Sequence, residues 1–95
     1  MLTREQAKEV KTLLCTGKFG RPVVLFALSY VNLQDDEREV LMLRYLHGLT
    51  QEATAEKLNI SPNTIYNKER IGLEKCYTTW RNNSFMSELL DAALN

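Results

Sequence analysis

The chain has 95 residues, 44% of them hydrophobic and 25% charged, and its 12 basic and 12 acidic side chains cancel to a net charge of zero. That length predicts one domain, 1–95, with a modest core of helices and no room for a second, and the composition excludes a disordered or collagen-like chain. A neutral chain is poorly suited to coating nucleic acid, which depends on many phosphate contacts. Its longest apolar run, Val23 to Leu28, falls far short of the roughly 18 residues that would suggest a membrane span. No signal peptide is legible, so a cytoplasmic protein without a membrane is expected.

Residues 1–32 read as helical support. Leu2 to Thr16 is the first predicted helix, opened by a capping box of Thr3 with Gln6, striped by Ala7, Val10, Leu13 and Leu14, and ended by Gly17. A basic connector, Lys18 to Arg21, precedes Pro22, which is expected as the first residue of a second helix. Val23 to Val31 is apolar almost all round and rich in β-branched and aromatic residues. It is read as helix because no partner strand exists elsewhere, and a lone strand would leave its backbone groups unsatisfied.

Leu33-Gln34-Asp35 breaks the chain. The acidic run Asp35-Asp36-Glu37 then suits the positive end of a third helix, which is expected to reach His47 with Val40, Leu43 and Leu46 inside, Leu41 and Tyr45 beside them, and Gly48 as its stop. This helix is expected to pass behind a later helix, Pro62 to about Arg81, and hold it.

Thr50 to Lys75 organises the rest. Thr50 can cap a short helix, Gln51 to Leu58, and Asn59 tolerates the left-handed conformation needed to leave it. Ile60 is expected as a buried plug, and Ser61-Pro62 restarts a helix that runs to about Arg81. A three-residue turn forces a steep crossing, so the contact needs a small residue, Ala55, closed by Ile65 from the second helix. With Ile65 inward, the helical period turns Asn63, Tyr66, Asn67 and Arg70 outward on the N-terminal half of that helix. This is a helix-turn-helix, and those four are its candidate base readers. Asparagine can pair bidentately with adenine, arginine can do so with guanine, and tyrosine can touch a thymine methyl. Thr50, Gln51, Ser61, Thr64 and Lys68 are the candidate contacts to the DNA backbone. Tyr77 and Trp80 are expected in the core. After an Asn82-Asn83-Ser84 turn, residues 84–95 close the chain with a short amphipathic helix.

The pattern Asp36-Glu37-Arg38-Glu39-Val40-Leu41, Leu43-Arg44-Tyr45, Gly48-Leu49-Thr50, Ala55-Glu56-Lys57-Leu58, Ile60-Ser61, Thr64-Ile65 and Leu73-Glu74-Lys75 resembles region 4 of the sigma-70 family and the small phage and prophage regulators that share it. The resemblance covers Leu33 to Cys76 without a gap, within a helix-turn-helix unit at 33–81. It implies an all-α fold, double-stranded DNA as ligand, and RNA polymerase as a possible partner. The chain departs from that family at four positions: Ala53 for a usual glutamate, Thr54 for a large aliphatic, Gly72 for alanine and Cys76 for leucine. Thr54→Ile is therefore expected to raise stability.

Charge is unevenly spread. Residues 1–21 hold Arg4, Lys8, Lys11, Lys18 and Arg21 against Glu5 and Glu9, and residues 32–60 are acidic. Such a bipolar chain suits specific binding better than coating. Catalysis is not supported. The single histidine, His47, sits at a helix end, the acidic run points in several directions, and no nucleophile and base pair or phosphate loop exists. Cys15 and Cys76 match no metal spacing and are expected as free thiols. No cofactor or metal is implied. The function expected is a bacterial or phage transcriptional regulator acting as a homodimer. The alternatives are a phage small terminase subunit, or an adaptor that binds RNA polymerase or an anti-sigma partner without DNA.

Overall fold

The computed structural model describes residues 1–15 and 19–95, and among them the secondary structure is entirely helical. Helix α1, Arg4–Cys15, opens on the expected capping box: the Gln6 amide donates to Thr3 Oγ1 at 3.1 Å, and the Thr3 amide to Gln6 Oε1 at 3.0 Å. Thr3 is thus the cap, which moves the helix start two residues beyond Leu2. The predicted end at Thr16 and Gly17 lies outside the described residues.

Helix α2, Gly20–Ser29, settles the strand or helix ambiguity in favour of helix. Pro22 is its third residue, not its first. The first turn tolerates proline because its missing N–H has no intrahelical acceptor there. Only Val24, Ala27 and Leu28 of this helix are buried, so a stretch that is apolar all round leaves Leu25, Phe26 and Tyr30 exposed.

Helix α3, Asp35–Leu41, starts where the acidic run predicts, with the Gln34 amide donating to Glu37 Oε1 at 3.0 Å. It does not remain α-helical to His47. Met42–Leu46 form a π-helical turn, closed by a bond from the His47 amide to the Met42 carbonyl at 3.1 Å. Gly48, at φ +68°, then turns the chain away through a conformation that a Cβ would disfavour. The arginine guanidinium of Arg38 ties α2 to α3 by donating to the carbonyls of Leu28 at 2.9 Å and Val31 at 3.1 Å.

Helix α4, Gln51–Leu58, is capped by Thr50, whose hydroxyl accepts from the Ala53 amide at 3.0 Å. Asn59 sits in the left-handed region at φ 57°. Its amide reaches the Glu56 carbonyl while that of Ile60 reaches Ala55, a Schellman ending. That geometry carries the chain outward, so Ile60 is exposed and is not the buried plug expected of it. Helix α5, Pro62–Arg81, is capped by Ser61 Oγ on the Thr64 amide at 3.2 Å, and α6, Ser84–Leu94, by Asn83 Oδ1 on the Met86 amide at 2.9 Å.

Two apolar clusters hold these helices. Val40, Ala55 and Ile65, with Leu58 beside them, knit α3, α4 and α5 into the helix-turn-helix. A larger cluster joins α1, α2, α3, α5 and α6 around Trp80, which is fully buried and whose indole N–H donates to the Ala27 carbonyl at 3.0 Å. Cys76 fills space in this core, and burial pushes its thiol up to about 12.

Candidate nucleic-acid interface

The outer face of α5 is built by exclusion. Ile65, Glu69, Gly72, Leu73 and Cys76 are buried against α1, α3 and α4, which leaves the positions between them to solvent. Asn63, Tyr66 and Asn67 are exposed, with Tyr66 at 48%, and Arg70 is half-buried along the same face. Tyr66 and Arg70 border a groove of about 280 Å³ whose other wall is the start of α1, including Arg4 and Lys11. The four residues expected as base readers thus share one accessible surface.

The expected backbone contacts are differently occupied. Thr50 is exposed but caps α4, and Ser61 caps α5 while its hydroxyl lies 2.8 Å from that of Thr64. The Gln51 amide nitrogen is turned inward and reaches Glu69 Oε1 at 3.5 Å. Lys68 donates to Asp36 at 2.5 Å, an ion pair that holds the Asp36 carboxyl below its usual range and raises the lysine. Thr50, Ser61 and Thr64 still present hydroxyl oxygens near helix N-termini, where amides and dipole favour a phosphate.

One feature of the face was not read from the sequence. Glu69 is buried behind it and accepts from Arg44 Nε at 2.6 Å and from the Tyr45 hydroxyl at 2.6 Å. Burial pushes the Glu69 carboxyl up, but these donors outweigh it and hold the group below the ordinary glutamate range. Burial and the Glu69 bond together push the Tyr45 phenol well above its usual value. Arg44 also donates to the Leu49 carbonyl at 2.7 Å, so one network binds the π turn, the entry to α4 and the middle of α5. The available signal was a glutamate on the apolar stripe, four residues after Ile65 and four before Leu73. Glu37 repeats the theme, buried at the head of α3 and paired with Lys75 at 2.7 Å.

Among the described residues, no helix is long and apolar enough to cross a membrane. No curated protein and no solved structure matches the chain. Residues 31–78 match the family model of sigma-70, region 4, a span that encloses α3, the π turn, α4 and α5 as far as Thr78. With just over half of its length in that match, and with the helix-turn-helix in place, the chain belongs to the sigma-70 region 4 family of DNA-binding helix-turn-helix domains.

Proposed function

We propose that the protein is a sequence-specific DNA-binding regulator of transcription in a bacterium or phage, working in the cytoplasm. Helix α5 enters the major groove with Asn63, Tyr66, Asn67 and Arg70 toward the base edges, and α4 lies across the sugar-phosphate backbone. The observation that carries this reading is the pairing of an exposed polar stripe with a rigid mount: the face opposite Asn67 and Arg70 is fixed by Ile65 and by Glu69 in its network. A reading head needs such a mount, because base pairs are distinguished only when side chains are held in register with them. The family resemblance makes RNA polymerase the protein partner of this proposal, and a second copy of the chain its other partner.

Selection of bound fragments from random DNA tests the reading directly. A shared base sequence is expected, and Asn67→Ala or Arg70→Ala should cost ~1–3 kcal/mol against it while relaxing preference at one position. Circular dichroism must show each variant folded. If folded variants bind as tightly and as selectively as the parent, α5 is not the reader, and the adaptor reading replaces this one.

A further inference from the structure

Of the 12 basic side chains, those near the reading face are largely neutralised within the chain: Arg44 by Glu69, Lys68 by Asp36, Lys75 by Glu37 and Arg81 by Glu9 and Asp91. Arg4, Lys8 and Lys11 on α1 are different. All three are exposed and form no ion pair among the described residues, and their spacing of four and three residues aligns them in one stripe. Of the two acids of α1, Glu9 is held away from the stripe by Arg81 at 2.5 Å, and Glu5 lies beside Lys8 without forming an ion pair with it, which leaves three cations against one carboxylate. The stripe borders the outer face of α5, because Arg4 and Lys11 wall the same groove as Tyr66 and Arg70.

From this we infer that α1, which lies outside the family match, is a second DNA-binding element that grips the phosphates flanking the groove read by α5. The inference rests on the DNA-binding reading of α5. Helices in contact lie about 8–10 Å apart, whereas the major groove is about 12 Å wide, so a helix packed beside one seated in the groove overlies the phosphate ridge. The cations of α1 meet that ridge, and they add sequence-independent attraction in a neutral chain whose Arg44, Lys68, Lys75 and Arg81 are already paired.

The test uses the full chain and its selected DNA fragment, titrated over a range of salt. The triple variant Arg4→Gln, Lys8→Gln, Lys11→Gln should bind at least tenfold more weakly, with the slope of log affinity against log salt reduced by about two to three units and base preference unchanged. An unchanged slope overturns the inference. A second measurement does not depend on the variant folding: Cys15 at the end of α1 is exposed and Cys76 is buried, so an iron-chelate cleavage reagent can be tethered to Cys15 alone. Backbone cuts beside the selected site support the inference, and their absence overturns it. A parent chain that binds no DNA sinks both proposals, whereas selective parent binding with an unchanged slope sinks only the role of α1.

Discussion

Thr54 is fully buried, and its hydroxyl donates to the Thr50 carbonyl one turn back at 2.8 Å. The same carbonyl accepts from the Thr54 amide, so deleting the hydroxyl leaves no acceptor stranded. The buried hydroxyl is therefore not the unpaired group on which the expected gain from isoleucine rested. We expect Thr54→Val to shift stability by less than about 1 kcal/mol and Thr54→Ile to lower it by ~1–3 kcal/mol through overpacking; urea denaturation of the two variants separates the outcomes. Lys68 makes a second argument at this scale. A lysine already bonded to Asp36 is a weak phosphate ligand, so Asp36→Asn should tighten DNA binding and steepen its salt dependence. A flat response in filter-binding assays would show that Lys68 stays away from the backbone. The outward positions Asn63, Tyr66, Asn67 and Arg70 were legible because a helical period assigns faces from one inward residue, Ile65. The partners of Lys68 and Glu69 were not, because these pairs join residues 18 to 32 positions apart in the chain, and no local pattern encodes them.

The element that sets the angle of α5 is α3 with its π turn. At Gly72 the two helices approach so closely that a Cβ would meet Leu41 Cδ1 at 3.0 Å, and Leu41 is itself fully buried in the core. Gly72→Ala therefore trades about 1 kcal/mol of helix propensity against ~1–3 kcal/mol of overpacking, and a net loss of stability is expected. The sign should reverse in a Leu41→Ala background, which makes the double-mutant cycle the decisive measurement. The π turn advances Arg44 and Tyr45 onto Glu69, and the pH response follows from that network. The Glu69 and Glu37 carboxyls are both held below their usual range, so the stability they confer is present above the unfolded glutamate value, about 4.3, and is lost as pH falls through the lower folded values. Glu69→Gln should cost ~1–3 kcal/mol at neutral pH and make the acid limb of the stability curve shallower, since one of the carboxyls held below its usual range, alongside Glu37 and Asp36, is gone. An acid limb of unchanged steepness, followed by tryptophan fluorescence through the buried Trp80, would argue against this. Helix starts were legible where a cap residue announces them, at Thr50 and Ser61, and the capping box of Thr3 was legible although the start itself was set at Leu2; Asn83 was read as part of a turn and not as a cap. The π turn was not, since its amides bond five residues back through ordinary helix-forming side chains, Met42 to Leu46.

At the scale of the whole molecule, the segments outside the family match do two things. Helices α1, α2 and α6 enclose Trp80, Met86 and Leu90, completing a core that the three helices of the motif alone would leave open. They also leave apolar surface uncovered: Phe26 of α2 and Tyr30 at its C-cap stack edge to face at 5.4 Å, Phe85 at the start of α6 lies 6.3 Å from Phe26, and all three are more than two-fifths exposed. Contiguous exposed aromatics of this kind mark association sites more often than ordinary solvated surface. The patch belongs to α2 and α6, whereas Asn67 and Arg70 lie on α5, so pairing through the patch need not cover them. A two-fold contact there would present two reading helices to half-sites about 34 Å apart on one face of the duplex. We expect the parent chain to sediment as a dimer at tens of micromolar, and Phe26→Ser with Phe85→Ser to sediment as a monomer that keeps its helical signal. The monomer should retain base preference within one half-site but bind the complete site more weakly, because it loses the effective concentration that a linked second reader provides. A parent chain that is monomeric at that concentration, or selected DNA sites that contain a single unpaired element, would instead fix the working unit as one copy of the chain.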